Sequence, residues 1–294
     1  MTRRTWRTML VVAAVLSPAA GAGAQSLDAP PAQSIVNLRV IEPGLVQQLT
    51  LKDGSRLYGH VESIADGSFV FRTVGGVTLT LTSADAIDLR VATGRVVQQE
   101  FQPRDPHGSR LMFAPTARSL RAGEGYVGVY EVMLPFAQVG ITDRISFGGG
   151  TPLIIGSGVH PFWLTPKVQI VARDHAQIAA GVIHIAGLGE SHDAGIAYGV
   201  TTVGTAESAA TIGVGYAYSG HDHAPILMVG GDFRASRHVK WITENWIWSG
   251  GDGFVSGGVR YVGDRISVDF SLVKPLESFV VVPLVSFAWH FVKD

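Results

Sequence analysis

Two short segments carry the residue types that most readily do chemistry. His221-Asp222-His223 stands just after Ser219, and His192-Asp193 precedes them in the chain. Histidine and carboxylate side chains bind zinc, and a serine beside a histidine and an aspartate is the arrangement of a hydrolase. The candidate catalytic residues are His192, Asp193, Ser219, His221, Asp222 and His223. Three interpretations stay open: a hydrolytic site, a cation site, or ordinary residues of solvated loops.

The composition narrows these options. The chain of 294 residues has no cysteine, which excludes thiolate zinc sites and cysteine nucleophiles. No cofactor or metal is expected. The formal net charge is −1, whereas a nucleic-acid-binding protein needs a basic face, so no nucleic-acid partner is expected. After the first two dozen residues no apolar run reaches the length of a spanning helix.

Alternating residue patterns predict that β-strands position the candidate residues. From Ile266 to Leu272, apolar residues at every second position alternate with Ser, Asp and Ser. Such a period of two predicts a strand with one apolar face. The other apolar faces are predicted to contain Ala194, Ile196, Tyr198 and Val200; Ile212, Val214 and Tyr216; and Leu227, Val229 and Phe233.

The residues opposite these apolar faces indicate which environment each face meets. They are dominated by Gly, Ala, Ser and Thr, and charged residues make up only 16% of the chain. A soluble exterior is richer in Lys and Glu, whereas a transmembrane barrel exposes apolar residues to lipid and small polar residues to its interior. We therefore expect an outer-membrane β-barrel, with a soluble, lipocalin-like binder of an apolar ligand as the alternative.

Charged residues on the polar faces are then predicted to line the lumen. They are Glu131, Asp232, Arg234, Lys240, Glu244, Arg260 and Asp269. Two roles are open: they pair with one another inside a filled barrel, or they line a narrow path for small solutes. A structural or passive-transport protein is the function that this pattern favours, and an enzyme is less favoured.

Turns and loops give the strand count and the orientation. Short turns such as Thr142-Asp143-Arg144 and Gly263-Asp264-Arg265 alternate with generally longer loops, as in outer-membrane barrels. The count is about twelve antiparallel strands in up-and-down order, with ten as the alternative. The first strands are ambiguous: either residues 110–117 form a strand before one long strand, or residues 125–134 and 136–141 are separate strands.

The N-terminal part is predicted to be exported and to carry a small domain. Residues 1–24 have the basic, apolar and Ala-x-Ala parts of a cleaved signal peptide, and residues 25–44 form a linker. Residues 45–94 contain Asp-Gly and Gly-Gly turns between short strands, and Leu51-Lys52-Asp53-Gly54-Ser55 resembles the Sm-like and SH3-like small barrels. This domain would lie in the periplasm, with a periplasmic protein as its expected partner.

A polar linker over residues 95–109 precedes the large barrel, predicted over residues 110–294. Its last strand alternates Val285, Phe287, Trp289 and Phe291, and so resembles the signal recognised by the barrel assembly machinery. Residues 113–118 and Gly140-Ile141-Thr142-Asp143-Arg144 resemble an uncharacterised group of exported bacterial barrel proteins. The resemblance implies an outer-membrane barrel in contact with lipid, and it implies no activity.

Overall fold

The computed structural model describes residues 38–42, 44–153, 160–187 and 193–292, which form β-strands, their connections and one short 3-10 helix, Ser83–Asp85. The predicted signal peptide and most of the linker that follows it lie outside the described residues. Within the described part of the chain, no helix is long and apolar enough to cross a membrane.

The first five strands form a small antiparallel sheet. They are β1 (Val46–Leu51), β2 (Arg56–Ala65), β3 (Ser68–Thr73), β4 (Thr78–Thr82) and β5 (Ala86–Ala92). Asp66 and Gly67 connect β2 to β3 with φ angles of 47° and 77°, the conformation that a two-residue hairpin turn requires. Leu49, Val61, Phe69 and Phe71 form its core.

The strand order of this sheet is β4-β3-β2-β1-β5. Its two edge strands do not pair with each other in the described structure, so an Sm-like or SH3-like closed barrel stays a prediction. A hairpin of β6 (Gly94–Val97) and β7 (Glu100–Pro103) follows where the sequence predicted a polar connector.

The larger sheet closes on itself. Its strands are β8 (Glu124–Tyr130), β9 (Leu134–Gly140), β10 (Ile145–Gly150), β11 (Phe162–Leu164), β12 (Lys167–Arg173), β13 (Ala176–Ala186), β14 (Ala194–Gly204), β15 (Ser208–Ser219), β16 (Asp222–Arg234), β17 (Val239–Trp248), β18 (Gly253–Val262), β19 (Ile266–Pro275) and β20 (Val282–Val292). Both β11 and β12 pair with β10 and β13, so they share one position in the wall. The last strand pairs with the first, from Ser286–Tyr130 to Val292–Glu124. The result is a closed antiparallel barrel of 12 strands, which confirms the predicted number.

The start of the barrel resolves the ambiguity in the sequence. Separate strands β8 and β9 match the second alternative. The first alternative, a wall strand over residues 110–117, is wrong: this segment contains only an isolated bridge between Arg110 and Pro115. Its side chains and backbone lie against the inner wall, as described below.

Apolar side chains cover the outside of the barrel. Val214, Phe233 and Phe270 are 62%, 57% and 48% exposed, while the alternating Asp269 is 4% exposed. An interior that holds charged side chains excludes the lipocalin-like alternative, which needed the apolar faces to point inward. One strand differs from prediction. In β14, Val200 and Tyr198 pack against the internal cluster, so the apolar face predicted to meet lipid points inward.

One end of the barrel has short turns and contacts the small sheet. The turns at one end comprise residues 141–144, 174–175, 205–207, 235–238 and 263–265, and the small sheet lies against this end. Asp264 accepts hydrogen bonds from Tyr58 Oη at 2.7 Å and from Gln48 Nε2 at 2.9 Å, and Arg56 lies 3.4 Å away. Burial and the Asp264 carboxylate raise the pKa of Tyr58, so the phenol keeps its proton and donates. Asp264 is thus the anchor of the small sheet.

Replacing this anchor should loosen the small sheet without opening the barrel. Asp264→Ala removes the acceptor of two hydrogen bonds, a loss of about 1–3 kcal/mol for each donor left unsatisfied. We expect protease cleavage between the small sheet and the barrel to become at least about fivefold faster, measured on the folded protein in detergent. Asp174→Ala, in a different short turn, is the control. Unchanged cleavage in Asp264→Ala would show that the contact does not hold the sheet.

Candidate functional site

After β7 the chain enters the barrel and turns back inside it. Residues 105–120 make this excursion, which we call the plug hairpin. Its two arms are joined by hydrogen bonds from Leu111 N–H to Ala114 O at 2.8 Å and from Thr116 N–H to Ser109 O at 3.1 Å. Arg121 and Glu124 then lead into β8, so the first wall strand directly continues the plug hairpin.

A single carboxylate holds the tip of the plug hairpin. Glu244 lies on β17 and is fully buried. Its Oε2 accepts the backbone N–H groups of Met112, Phe113 and Ala114, each at 2.9 Å. Its Oε1 accepts the Trp246 indole N–H at 2.8 Å. Four donors around one buried carboxylate satisfy a charge that would otherwise be very costly to remove from water.

A lysine ties the two arms together. Lys167, on β12, is 2% exposed, and its Nζ donates to the carbonyl oxygens of Ser109, Thr116 and Arg118 at 2.9, 3.0 and 2.7 Å. Gln169, two residues further along the same strand, donates to Ala117 O at 2.8 Å. Lys167 therefore connects the two arms through three backbone carbonyl oxygens.

An ionic cluster holds the base of the plug hairpin. Asp105 Oδ2 lies 3.2 Å from both Lys240 Nζ and Arg260 Nη1. Arg260 also binds Asp269 through two parallel hydrogen bonds of 2.6 and 2.9 Å. Lys240 forms a further ion pair with Asp232. Each charge in this buried cluster has an opposite charge beside it, which is the condition for keeping charges out of water.

Apolar contacts complete the fit. Leu111, Met112, Ala114 and Ala117 belong to one buried cluster with residues of β13 to β17. Leu111 packs onto Gly230 of β16: a Cβ atom there would lie 2.6 Å from Leu111 Cδ1 and 2.4 Å from a backbone oxygen. Only glycine leaves room for the hairpin at this point of the wall.

Some polar atoms of the plug hairpin have no protein partner. Within the described residues these include His107 Nε2, Arg110 Nε and Arg110 Nη2, which are buried. The Arg110 guanidinium lies 5.1 Å from the Tyr130 ring centre and 5.2 Å from that of Phe136, and 3.5 Å from Asp269. Buried unpaired donors are sites where a water molecule or a solute group binds.

Six of the seven predicted lumen residues point into the barrel, and five of them belong to these networks. Asp232, Lys240, Glu244, Arg260 and Asp269 contact one another or the plug hairpin as described. Arg234 lies at the short-turn end, where it pairs with Glu207 and donates to Pro103 O at 3.0 Å. Glu131 does not line the lumen. It lies in the turn between β8 and β9 with φ of 48° and accepts Val285 N–H at 2.5 Å.

The predicted histidine site does not assemble in the described structure. His192 lies outside the described residues. Asp193 pairs instead with His184 at 3.5 Å, and His184 Nδ1 is 2.9 Å from Tyr218 Oη. His223 is exposed and lies against the Tyr216 ring on the outer surface.

No group of three metal-binding side chains occurs in the described ranges. Ser219 and Asp222 are paired at the end of the β15–β16 hairpin, and His221 lies in its turn. Ser219 and Asp222 therefore share one face of the sheet, whereas strand alternation places His223 on the other face.

The sequence interpretation missed Lys167 and Asp105. Lys167 could have been found, because Lys167 and Gln169 alternate with Val168 and Ile170, which are 46% and 57% exposed. Asp105 lies in a stretch without any period, and its role depends on residues more than 130 positions away, Lys240 and Arg260. No local signal identifies such a contact.

No protein-family model matches the sequence, and no curated protein matches it. Among solved structures, the chain is similar to a KdgM porin with a TM-score of 0.46 and 8% identity, over 57% of this chain and 98% of that one. A NanC porin gives a TM-score of 0.42 and 8% identity over 58% and 99%. OmpT, an outer membrane protein of Vibrio cholerae, gives 0.33 and 10% over 84% and 96%.

Two substitutions of Glu244 should destabilise the protein to different degrees. Glu244→Gln keeps one acceptor oxygen, whereas Glu244→Ala leaves three backbone donors buried without a partner. We expect a loss of about 3 kcal/mol or more for Ala and a smaller loss for Gln, measured as the free energy of unfolding in urea by tryptophan fluorescence. Asp174→Asn, in an exposed turn, should change stability by less than about 0.5 kcal/mol. Equal stability of the Ala variant and the native protein would contradict the role of Glu244.

Proposed function

We propose that this protein is a bacterial outer-membrane β-barrel for passive transport of small hydrophilic solutes, and that the plug hairpin holds its lumen closed at rest. The observation that carries the proposal is the plug hairpin itself. It is fixed inside the barrel by hydrogen bonds and ion pairs to Glu244, Lys167 and the Arg260 cluster. Polar contacts of this kind can be exchanged for water when the hairpin moves.

Placement in a membrane is supported by the outer surface. Exposed Ile, Val, Phe and Leu side chains alternate with buried Ser and Asp along β19. Exposed apolar side chains also occupy every second position of β15 and the outer positions of β16. Closure of the wall pairs the strand edges, which is necessary where no water is present to satisfy backbone groups. Aromatic residues near the end of β20 support recognition by the barrel assembly machinery, as the sequence predicts.

The orientation is supported by the two ends of the barrel. Short turns and the small sheet lie at the same end, and short turns of outer-membrane barrels face the periplasm. The small sheet would then be periplasmic, where a protein partner can reach its two edge strands. Export is supported by the predicted signal peptide.

The wall charges suggest the class of solute. Among the described wall residues, Asp232, Glu244 and Asp269 face inward, and so do Lys167, Arg234, Lys240 and Arg260. Opposite charges in nearly equal number give little preference for either sign of ion. Twelve strands enclose a lumen between the filled eight-stranded and the open sixteen-stranded barrels. We therefore assign small neutral or zwitterionic solutes as the cargo.

A barrel-rim hydrolase is not favoured by the described geometry. Asp193 and His184 pair at the rim, but the nearest hydroxyl in their network is a tyrosine that donates or accepts a ring-nitrogen hydrogen bond. In the described part of the chain, the serine of the predicted set, Ser219, forms no hydrogen bond with either residue and lies opposite Asp222 in the hairpin. We therefore propose no reaction.

Fractionation tests the membrane location. The mature protein should remain in the membrane fraction until detergent is added, and the unheated protein should migrate differently from the boiled protein on a denaturing gel. A closed barrel that resists unfolding by the detergent is the reason for this shift. A soluble protein whose migration does not depend on heating would refute the location.

Conductance in planar bilayers tests transport. The native barrel should give infrequent, discrete openings, and the Lys167→Met/Glu244→Ala variant should open at least about tenfold more often, because loss of plug contacts shifts the population towards the open state. Asp174→Asn, which leaves the plug contacts intact, should behave as the native protein does. Heat-shift electrophoresis confirms that each variant is folded. A folded double variant as silent as the native barrel would refute a lumen gated by the hairpin.

A further inference from the structure

A cleft lies between the small sheet and the seam where β20 meets β8. Its volume is about 770 Å³. It is lined by Arg265 of the β18–β19 turn and, from the part of the chain before the barrel wall, by Arg39, Arg90 of β5 and Arg104. The pair of strands that closes the barrel, β20 and β8, thus borders a space that no part of the described protein fills.

The cleft carries an excess of positive charge. Four arginines line it, against two carboxylates, Glu124 and Asp264. Both carboxylates are already engaged: Glu124 binds Arg104 at 2.9 Å, and Asp264 accepts the Tyr58 and Gln48 hydrogen bonds.

Two of the arginines remain available. Arg39 and Arg265 are exposed, and neither forms an ion pair with another described residue. Guanidinium groups without carboxylates present several N–H donors to an anion, and phosphate oxygens match their geometry. The cleft therefore has the charge and donors of an anion site.

The third wall of the cleft is apolar and continues the outer surface of the barrel. Trp289 is 39% exposed and its ring lies 6.0 Å from that of Phe291. On the same face of β20, Phe287 is 43% exposed and Val285 46% exposed. Indole rings favour the level of lipid headgroups, so the anion site adjoins the predicted edge of the hydrocarbon layer.

We propose that this cleft binds the phosphate headgroup of an anionic phospholipid, with the acyl chains against the outer face of β20 at Trp289 and Phe291. The proposal rests on the outer-membrane location proposed above, and it assigns a ligand to the periplasmic side of the barrel. Arg39 and Arg265 bind the phosphate. The bound lipid bridges the small sheet and the membrane surface, next to the Asp264 anchor.

Native mass spectrometry of the full mature chain in neutral detergent tests the proposal. The probes are phosphatidylglycerol and phosphatidylcholine with identical acyl chains. The native protein should bind phosphatidylglycerol more tightly, and Arg39→Gln/Arg265→Gln should weaken that binding about tenfold or more, since each arginine near a membrane surface contributes severalfold to binding of anionic lipid. Arg173→Gln, an exposed arginine at the same end but outside the cleft, is the control.

Three results with the two lipids would overturn the proposal: equal binding of the two lipids by the native protein, no weakening in the double variant, or equal weakening in Arg173→Gln. Inorganic phosphate is the third probe. Failure of phosphate to displace the lipid supports a lipid site, and full displacement assigns the cleft to a free anion instead.

The lipid-binding experiment and the conductance experiment can give opposite answers, so the failure of one proposal can be distinguished from the failure of the other. Heat-shift electrophoresis confirms folding of each variant, and Arg265→Gln alone serves if the double variant does not fold. A barrel that is silent in bilayers yet selects phosphatidylglycerol refutes the proposed transport and retains the lipid site. A barrel that conducts but does not select phosphatidylglycerol supports the proposed transport and refutes the lipid site.

Discussion

The charged side chains that the barrel wall directs inward need partners, and the plug hairpin supplies them for Glu244, Lys167 and Arg260. Glu244 is the clearest case, since its carboxylate is fully buried and binds three consecutive backbone N–H groups. Without the hairpin, Glu244, Arg260 and Lys167 would face an empty lumen and would have to be solvated. Buried ion pairs of this kind contribute modestly to net stability, but loss of one member is strongly destabilising. The hairpin and the wall charges are therefore one structural unit.

The same contacts explain which parts of the fold the sequence could predict. The 12 strands follow from a period of two and from turn residues, both of which are local signals. Inward charges such as Asp232 and Asp269 also follow from alternation. The orientation of β14 was predicted wrongly because both of its faces are nearly uncharged, so that Tyr198 and Val200 gave no indication of which face meets the hairpin.

The hairpin could not be predicted in this way. Residues 105–120 have no period, and their backbone is satisfied by side chains from β12, β14 and β17 instead of by a neighbouring strand. The predicted histidine site does not form in the described structure for a related reason. Spacing in the sequence indicates that residues are near one another along the chain, whereas a site needs side chains that converge, and Asp193 converges with His184 instead.

The position of the plug hairpin in the chain also constrains the order of folding. Residues 105–120 come before every wall strand, yet Glu244, Arg260 and Asp269 lie on strands near the end of the sequence. Their contacts close loops of well over a hundred residues and so form late. Because β8 directly follows the plug hairpin, the hairpin enters the lumen beside the strand that β20 must reach to complete the barrel. A chain that closes without the hairpin leaves unpaired charges in its interior, so correct closure depends on a segment that forms no part of the wall.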